Sequence, residues 1–314
     1  MVASLTRIAT AALALVLAGP TYLADPAAAQ TPPPELKNDM IEVEYNAPKS
    51  EKYRPIYERM KERKVLERFA AFLSPLKLQG GLILSLEEGD PRTCGAPNSY
   101  YDRQGKLHLC YSWFYFLEHD VGVAHKRGPN EPFTTASLGL IPGFTRGEVI
   151  VGGTISLMLH EMGHALFDIQ DIPLLGREED AADQVAALIM LQFGPRVALT
   201  TIKGEYNVSH HLHAERLRKQ KGQIQPYQEA DEHSIDIQRA FNVLCIAYGK
   251  DPATFQELAD QLLPRARKQH CADEYQQAAL AFRKTVLPDV DQQLMQQVLK
   301  MDVLRPEDFE RVGR

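Results

Sequence analysis

The chain has 314 residues, of which 44% are hydrophobic and 24% charged, with a formal net charge of −6. That length allows one large domain or two small ones around a real core, and the composition is ordinary for a globular protein. No basic surplus offers an electrostatic footprint for nucleic acid, which is excluded as an expected partner.

The N-terminus has the pattern of an export signal. Arg7 precedes the apolar run IATAALALVLAG, and PAAAQ places small residues at an A-x-A cleavage site after Ala29. The run is too short to span a bilayer comfortably, and no later segment offers about 18 uninterrupted apolar residues. Residues 1–29 are therefore expected to be a signal peptide, with no transmembrane segment left after cleavage. QTPPPE then stops any helix, so residues 30–50 are expected to be a Pro-rich linker and N-terminal extension. A single domain over 51–314, in a periplasmic or secreted protein, is the resulting expectation.

Within that domain, SEKYRPIYERMKERKVLERFAAFLSPL sets Ile56, Met60, Leu66, Phe69 and Leu73 at helical spacing, and Pro75 ends the pattern. GLILSLEE is expected to be a strand, and LHLCYSWF a second strand running into a helix. Cys94 and Cys110 flank GAPNSYYDRQGKLHL, which resembles a hairpin turning at DRQG. Cys245 and Cys271 flank a helix–loop–helix pattern. Four cysteines allow three pairings. The sequence-local one, Cys94–Cys110 with Cys245–Cys271, is expected, each bridge contributing about 3 kcal/mol. No C-x-x-C spacing supports a cysteine zinc site.

Between Val121 and Gly153 the chain is rich in loop residues, and its place before a helix suggests a cleft wall or lid. Thr154, after Gly152 and Gly153, is the expected N-cap of a helix to about Ile169. REEDAADQVAALIMLQF makes a second helix, closed by Gly194 and Pro195, and HSIDIQRAFNVLCIAYG, ATFQELADQLL and ADEYQQAALAFRKTVL follow as further helical patterns. ERLRKQKGQ and RARKQH are expected to be solvated helix faces. The fold class is α+β and mostly α-helical, with a zincin-like active-site helix pair preceded by a small β-sheet.

The chemistry sits in LMLHEMGHALFDI, Leu157 to Ile169. Its helix is apolar nearly all round, which marks it as buried. His160 and His164 are four apart and share a face, so both can aim a nitrogen at one zinc ion, at Zn–N distances of about 2.0–2.1 Å. Glu161 projects about 100° further round, within reach of a water on the metal but not of the metal itself. This is H-E-x-x-H, with Glu161 the general base of a zinc hydrolase. An unpaired carboxylate inside such a helix would cost several kcal/mol, and a dication offsets that.

A third ligand is needed, together with an open position. Fourteen residues separate His164 from Glu179, enough for a turn and a return helix. Glu179 can supply the oxygen, and Asp183, one turn on, can accept the free N–H of a ligating histidine. Glu178 or Asp180 could ligate instead if the frame slips. For the oxyanion, DEHSID offers His233, with Tyr100, Tyr101 and Tyr111 as weaker candidates. SHHLHAE contributes His210, His211 and His213 to what is expected to be a surface helix.

HEMGHALFDIQDIPLLGREEDAADQVAA resembles a family of exported bacterial proteins classed as zinc metallopeptidases and catalogued under a domain of unknown function. The resemblance extends to CGAPNSYYDRQGKLHLCY, DEHSIDIQRAFNVLCIAYG and LPRARKQHCADEY, from about Cys94 to Tyr275. The chain is also similar to the broader group of peptidases whose third ligand is a glutamate in an E-x-x-x-D pattern. That similarity implies His160, His164 and Glu179 as ligands of one Zn2+, Glu161 as base, and a peptide or protein as substrate. The family often carries glutamate where this chain has Ser112. Two other expectations stand beside the peptidase: a metal-binding envelope or interaction protein with a structural zinc, and a zinc-dependent amide or ester hydrolase acting on non-peptides.

Overall fold

The computed structural model describes residues 38–121, 145–220 and 232–300. The expected signal peptide, its cleavage site, residues 30–37 of the expected linker and the centre of the expected lid (122–144) lie outside the described residues.

Four strands make one sheet in the order β1-β2-β4-β3. They are β1 (Ile41–Tyr45), β2 (Leu82–Glu87), β3 (Ser99–Tyr101) and β4 (Lys106–Cys110). β1, β2 and β4 run parallel, with Leu84 facing Val43 on one side and Leu107 on the other. β3 returns antiparallel to β4 across the expected hairpin and forms an edge. The inner strand β2 reads LILSLE because its two faces differ: Leu82, Leu84 and Leu86 share one face and are fully buried, while Ser85 and Glu87 on the other bond Asn46 and His108. β1, inside the segment expected to be linker and extension, alternates IEVEY over only five residues, too short a pattern to stand out.

The first expected helix is two: α1 (Arg54–Glu62) and α2 (Val65–Leu73), broken where Lys64 adopts a left-handed conformation, φ 52°. The apolar stripe was legible but the break was not, because Ile56, Met60, Leu66, Phe69 and Leu73 all reach one core across it. A short α3 (Pro91–Cys94) precedes the hairpin, and α4 (Tyr111–Phe116) continues β4 as expected. Cys94 bonds Cys110, and Cys245 bonds Cys271.

The central helix α5 spans Arg146–Ile169. Its N-cap is Thr145, in a reciprocal capping box with Glu148, and not Thr154. Gly152 and Gly153 looked like a helix boundary but lie inside α5, where α7 (Gly194–Lys219) crosses it. A Cβ on Gly204 of α7 would collide with the Gly152–Gly153 backbone, so these glycines serve close helix approach rather than chain reversal. Residues 146–153 are accordingly helix and not loop. By length and composition α5 could cross a membrane, but 83% of its apolar window is buried inside the protein.

The return helix α6 (Glu178–Met190) packs on α5. Gly163, between the two motif histidines, permits the approach: a Cβ there would sit 2.9 Å from the Ala182 Cα. Then come α8 (Asp236–Lys250), α9 (Pro252–Leu262), α10 (Arg265–Lys268), α11 (Cys271–Thr285) and α12 (Gln292–Val298). α8 packs on α6, α7 and α11. A mostly helical α+β architecture is thus observed, its small sheet preceding the paired helices.

Candidate metal centre

α5 and α6 bring His160, His164 and Glu179 together. His160 Nε2 lies 3.1 Å from Glu179 Oε2, His164 Nε2 lies 3.5 Å from the same oxygen, and the two Nε2 atoms are 3.2 Å apart. For tetrahedral ligands at zinc's usual 2.0–2.1 Å, the ligand–ligand edge is roughly 3.3 Å.

The proton inventory explains why the triangle needs a cation. His160 Nδ1 is 2.8 Å from Asp183 Oδ1, and His164 Nδ1 is 2.8 Å from Glu178 Oε1. Each ring therefore donates through Nδ1 to a carboxylate and, when neutral, turns a bare Nε2 lone pair inward. Glu179 Oε2 is buried with no hydrogen-bond partner among the described residues. Only one proton fits between two nitrogens 3.2 Å apart. Burial alone would lower the His160 pKa, but the Asp183 and Glu179 carboxylates beside the ring outweigh it and raise it to about 10. Burial would raise Glu179, yet its imidazole partners hold it far below the carboxylate range. Positive charge belongs here, and a divalent ion supplies it without placing hydrogens in conflict. The residues fit a metal.

Behind the triangle, Arg239 from α8 grips Asp183 through Nε and Nη2, both at 2.8 Å. That guanidinium keeps Asp183 well below the ordinary carboxylate range against the opposing effect of burial. Arg103, on the β3–β4 turn, pairs with Glu178 and so steadies His164. Neither arginine was anticipated. Nothing local in the sequence links them to the histidines, from which they lie tens of residues away. Glu178 and Asp180, the alternatives to Glu179, have other partners: Glu178 takes His164, while Asp180 accepts from Ser234 at 2.6 Å and pairs with Arg177.

Glu161 lies beside the triangle, 5% exposed, with no side-chain hydrogen bond among the described residues. Burial raises its pKa, partly countered by the two histidines. His233 closes the far side, its Nε2 3.0 Å from Glu179 Oε2. His160, Glu179 and His233 form a group able to hold an ion, their ligand atoms within 4.8 Å of one another.

The edge strand β3 forms the opposite lip, where Ser99, Tyr100 and Tyr101 line a cavity shared with His164 and Glu179. Tyr101 Oη donates to Asp168 Oδ2 at 2.7 Å. Tyr111 is buried on Tyr53 with its hydroxyl on the Asn46 carbonyl, away from the site. Ser112 Oγ donates to the Ala96 carbonyl at 2.7 Å and braces the hairpin's approach. His210 and His211 are not simply surface groups. Burial lowers both pKa values, and they pack on Tyr206 and Phe116. Together with His213 they form no metal-capable group among the described residues. In the basic stretches, Arg216 pairs with Asp236 and Arg267 with Glu274, so both tie helices together instead of being merely solvated.

A family model described as "Putative metallopeptidase" matches residues 45–285. The chain belongs to that family. The match runs from the end of β1 to the end of α11 and takes in every residue of the triangle and its supports. Comparison with curated proteins and with solved structures yielded no match.

Proposed function

We propose that the protein is an exported zinc metallopeptidase that hydrolyses peptide bonds, with His160, His164 and Glu179 as metal ligands and Glu161 as general base. The observation that carries this reading is the triangle of three inward lone-pair atoms with edges of 3.1, 3.2 and 3.5 Å. Family membership supports hydrolysis. The two disulfides suit an oxidising compartment, in line with a cleaved segment at 1–29 ahead of a single domain.

Zn2+ held by His160, His164 and Glu179 would supply Lewis acidity to the scissile carbonyl and to the attacking water. Glu161 accepts the proton of that water as it attacks and passes it to the leaving amine. His233, 43% exposed at the cleft rim, donates through its imidazole to the oxygen on which negative charge develops. Asp183 and Glu178 hold each ligating ring in its Nδ1–H tautomer. β3, an edge strand among the described residues, offers backbone groups along which an extended peptide can dock.

The metal-capable grouping of His160, Glu179 and His233 favours a second reading, a closed four-ligand zinc that stabilises the fold and catalyses little. One pair of variants separates the two. Glu161→Gln is expected to keep one equivalent of zinc while peptide turnover falls at least a thousandfold, and His233→Ala to keep the zinc while turnover falls about a hundredfold, as for loss of an oxyanion donor. Loss of zinc in H233A would support the closed site, and full turnover in E161Q would remove the general-base assignment.

A further inference from the structure

A cavity of about 230 Å³ opens beside Glu161 and runs along the middle of α5 past Leu157 and Ser156, away from His164. α7 closes its far end with Glu205, Val208 and Leu212, and α4 contributes the Trp113 ring. Glu205 is firmly placed: Ser156 Oγ donates to its Oε2 at 2.7 Å and Ser209 Oγ to its Oε1 at 2.8 Å. Ser156 stands one turn before His160 on the same face of α5, a rise of about 6 Å. Of the other charged groups on this wall, Arg239 is matched by Asp183 and Arg216 by Asp236. Among the described residues Glu205 bonds two hydroxyls and no cation, and the guanidinium that feels its charge, Arg239, is itself bonded to Asp183.

We infer that this cavity is the subsite for a lysine or arginine side chain flanking the scissile bond, with its cationic head on Glu205. The two serine hydroxyls leave each Glu205 oxygen with acceptor capacity. Leu157, Val208, Leu212 and the Trp113 ring supply apolar and aromatic surface for a methylene stem and its charge. A short side chain entering beside Glu161 stops before Glu205. A long neutral one covers the carboxylate without pairing it, and an acidic one is repelled.

The inference rests on the peptidase reading for the position of the scissile bond, but occupancy of the cavity can be measured without cleavage. Trp113 is the chain's single tryptophan, so its emission reports the cavity directly. The full protein would be titrated with the acetyl amides of arginine, lysine, leucine and glutamate. Saturable emission changes are expected for the two basic amides, at least tenfold tighter than for leucine amide. Glu205→Gln is expected to abolish that preference with unchanged zinc content and far-UV circular dichroism. Equal binding of arginine and leucine amides by the wild-type protein, or no saturable response to either basic amide, overturns the inference even if E205Q does not fold. So does a preference that survives E205Q. Peptide cleavage without enrichment of lysine or arginine beside the cut also overturns it while leaving the peptidase reading intact. Failure of the E161Q test removes the reading and leaves the fluorescence ranking unaffected.

Discussion

Two histidine–carboxylate clusters in this protein use the same residue types to opposite ends. On the sheet, His108 spends both nitrogens: Nδ1 is 2.9 Å from Glu87 Oε1 and Nε2 is 3.1 Å from Asp102 Oδ2, with the Tyr100 ring stacked at 4.5 Å. As an imidazolium it has one acceptor for each N–H and no lone pair left for an ion. Between α5 and α6, each ring spends one nitrogen on its own carboxylate and turns the other towards a shared oxygen. Proximity of histidine to carboxylate therefore does not distinguish a clamp from a metal centre. Convergence of unspent lone pairs does.

The sharpest way to break the comparison is to spoil the convergence without touching a ligand. Gly163→Val would force α6 off α5 at Ala182, adjacent to Asp183 and one turn from Glu179. Zinc affinity is expected to fall more than a hundredfold by competitive chelator titration, with the His108 cluster undisturbed. Wild-type affinity in G163V would show that helix approach does not set the site.

Asp183→Asn comes next. Removing the carboxylate that fixes the His160 tautomer should weaken zinc binding roughly 10–100-fold. It also strands the Arg239 guanidinium, 21% exposed, at a cost of about 3 kcal/mol read by chemical denaturation. Weakened metal binding with no loss of apo stability would contradict the buried-pair argument.

The smallest effect belongs to the sheet. His108→Gln should cost about 1.5 kcal/mol and leave zinc content unchanged. Burial would lower the His108 pKa, but Glu87 and Asp102 raise it, so its contribution is complete below the ordinary 6.5 and fades as pH climbs through the raised value. The His108 bond holds Glu87 below its ordinary 4.5 against burial. Asp102, despite burial, is held below 3.8 by His108 and backbone N–H groups. Their contributions are lost only as acid takes pH down through those lowered values. The wild-type advantage over H108Q should therefore peak between about pH 4.5 and 6.5 and shrink in alkali. A constant advantage up to pH 9 would contradict the sign.

The motif helix was legible because its signals are local: His160 and His164 share a face by helical spacing, and an apolar surround marks burial. Glu179 and Asp183 were legible for the same reason, four apart on the next helix. The hairpin disulfide Cys94–Cys110 and the Cys245–Cys271 bridge followed from short separations. The start of α5 was misread because a glycine pair serves chain breaking and close packing equally well, and only Gly204 on a distant helix decides between them.

By itself, then, the amino-acid order determined which side chains could share a helix face and how much of each helix had to be buried, since both depend on spacings within a few turns. Only the tertiary structure decided that Arg103 and Arg239 would reach the carboxylates behind the two imidazoles, that β3 would form a lip of the cleft, and that Glu205 would look into it bonded to hydroxyls alone. Those pairings join residues far apart in the chain, and a charged side chain selects its partner by distance and desolvation in the folded state, which no local spacing encodes.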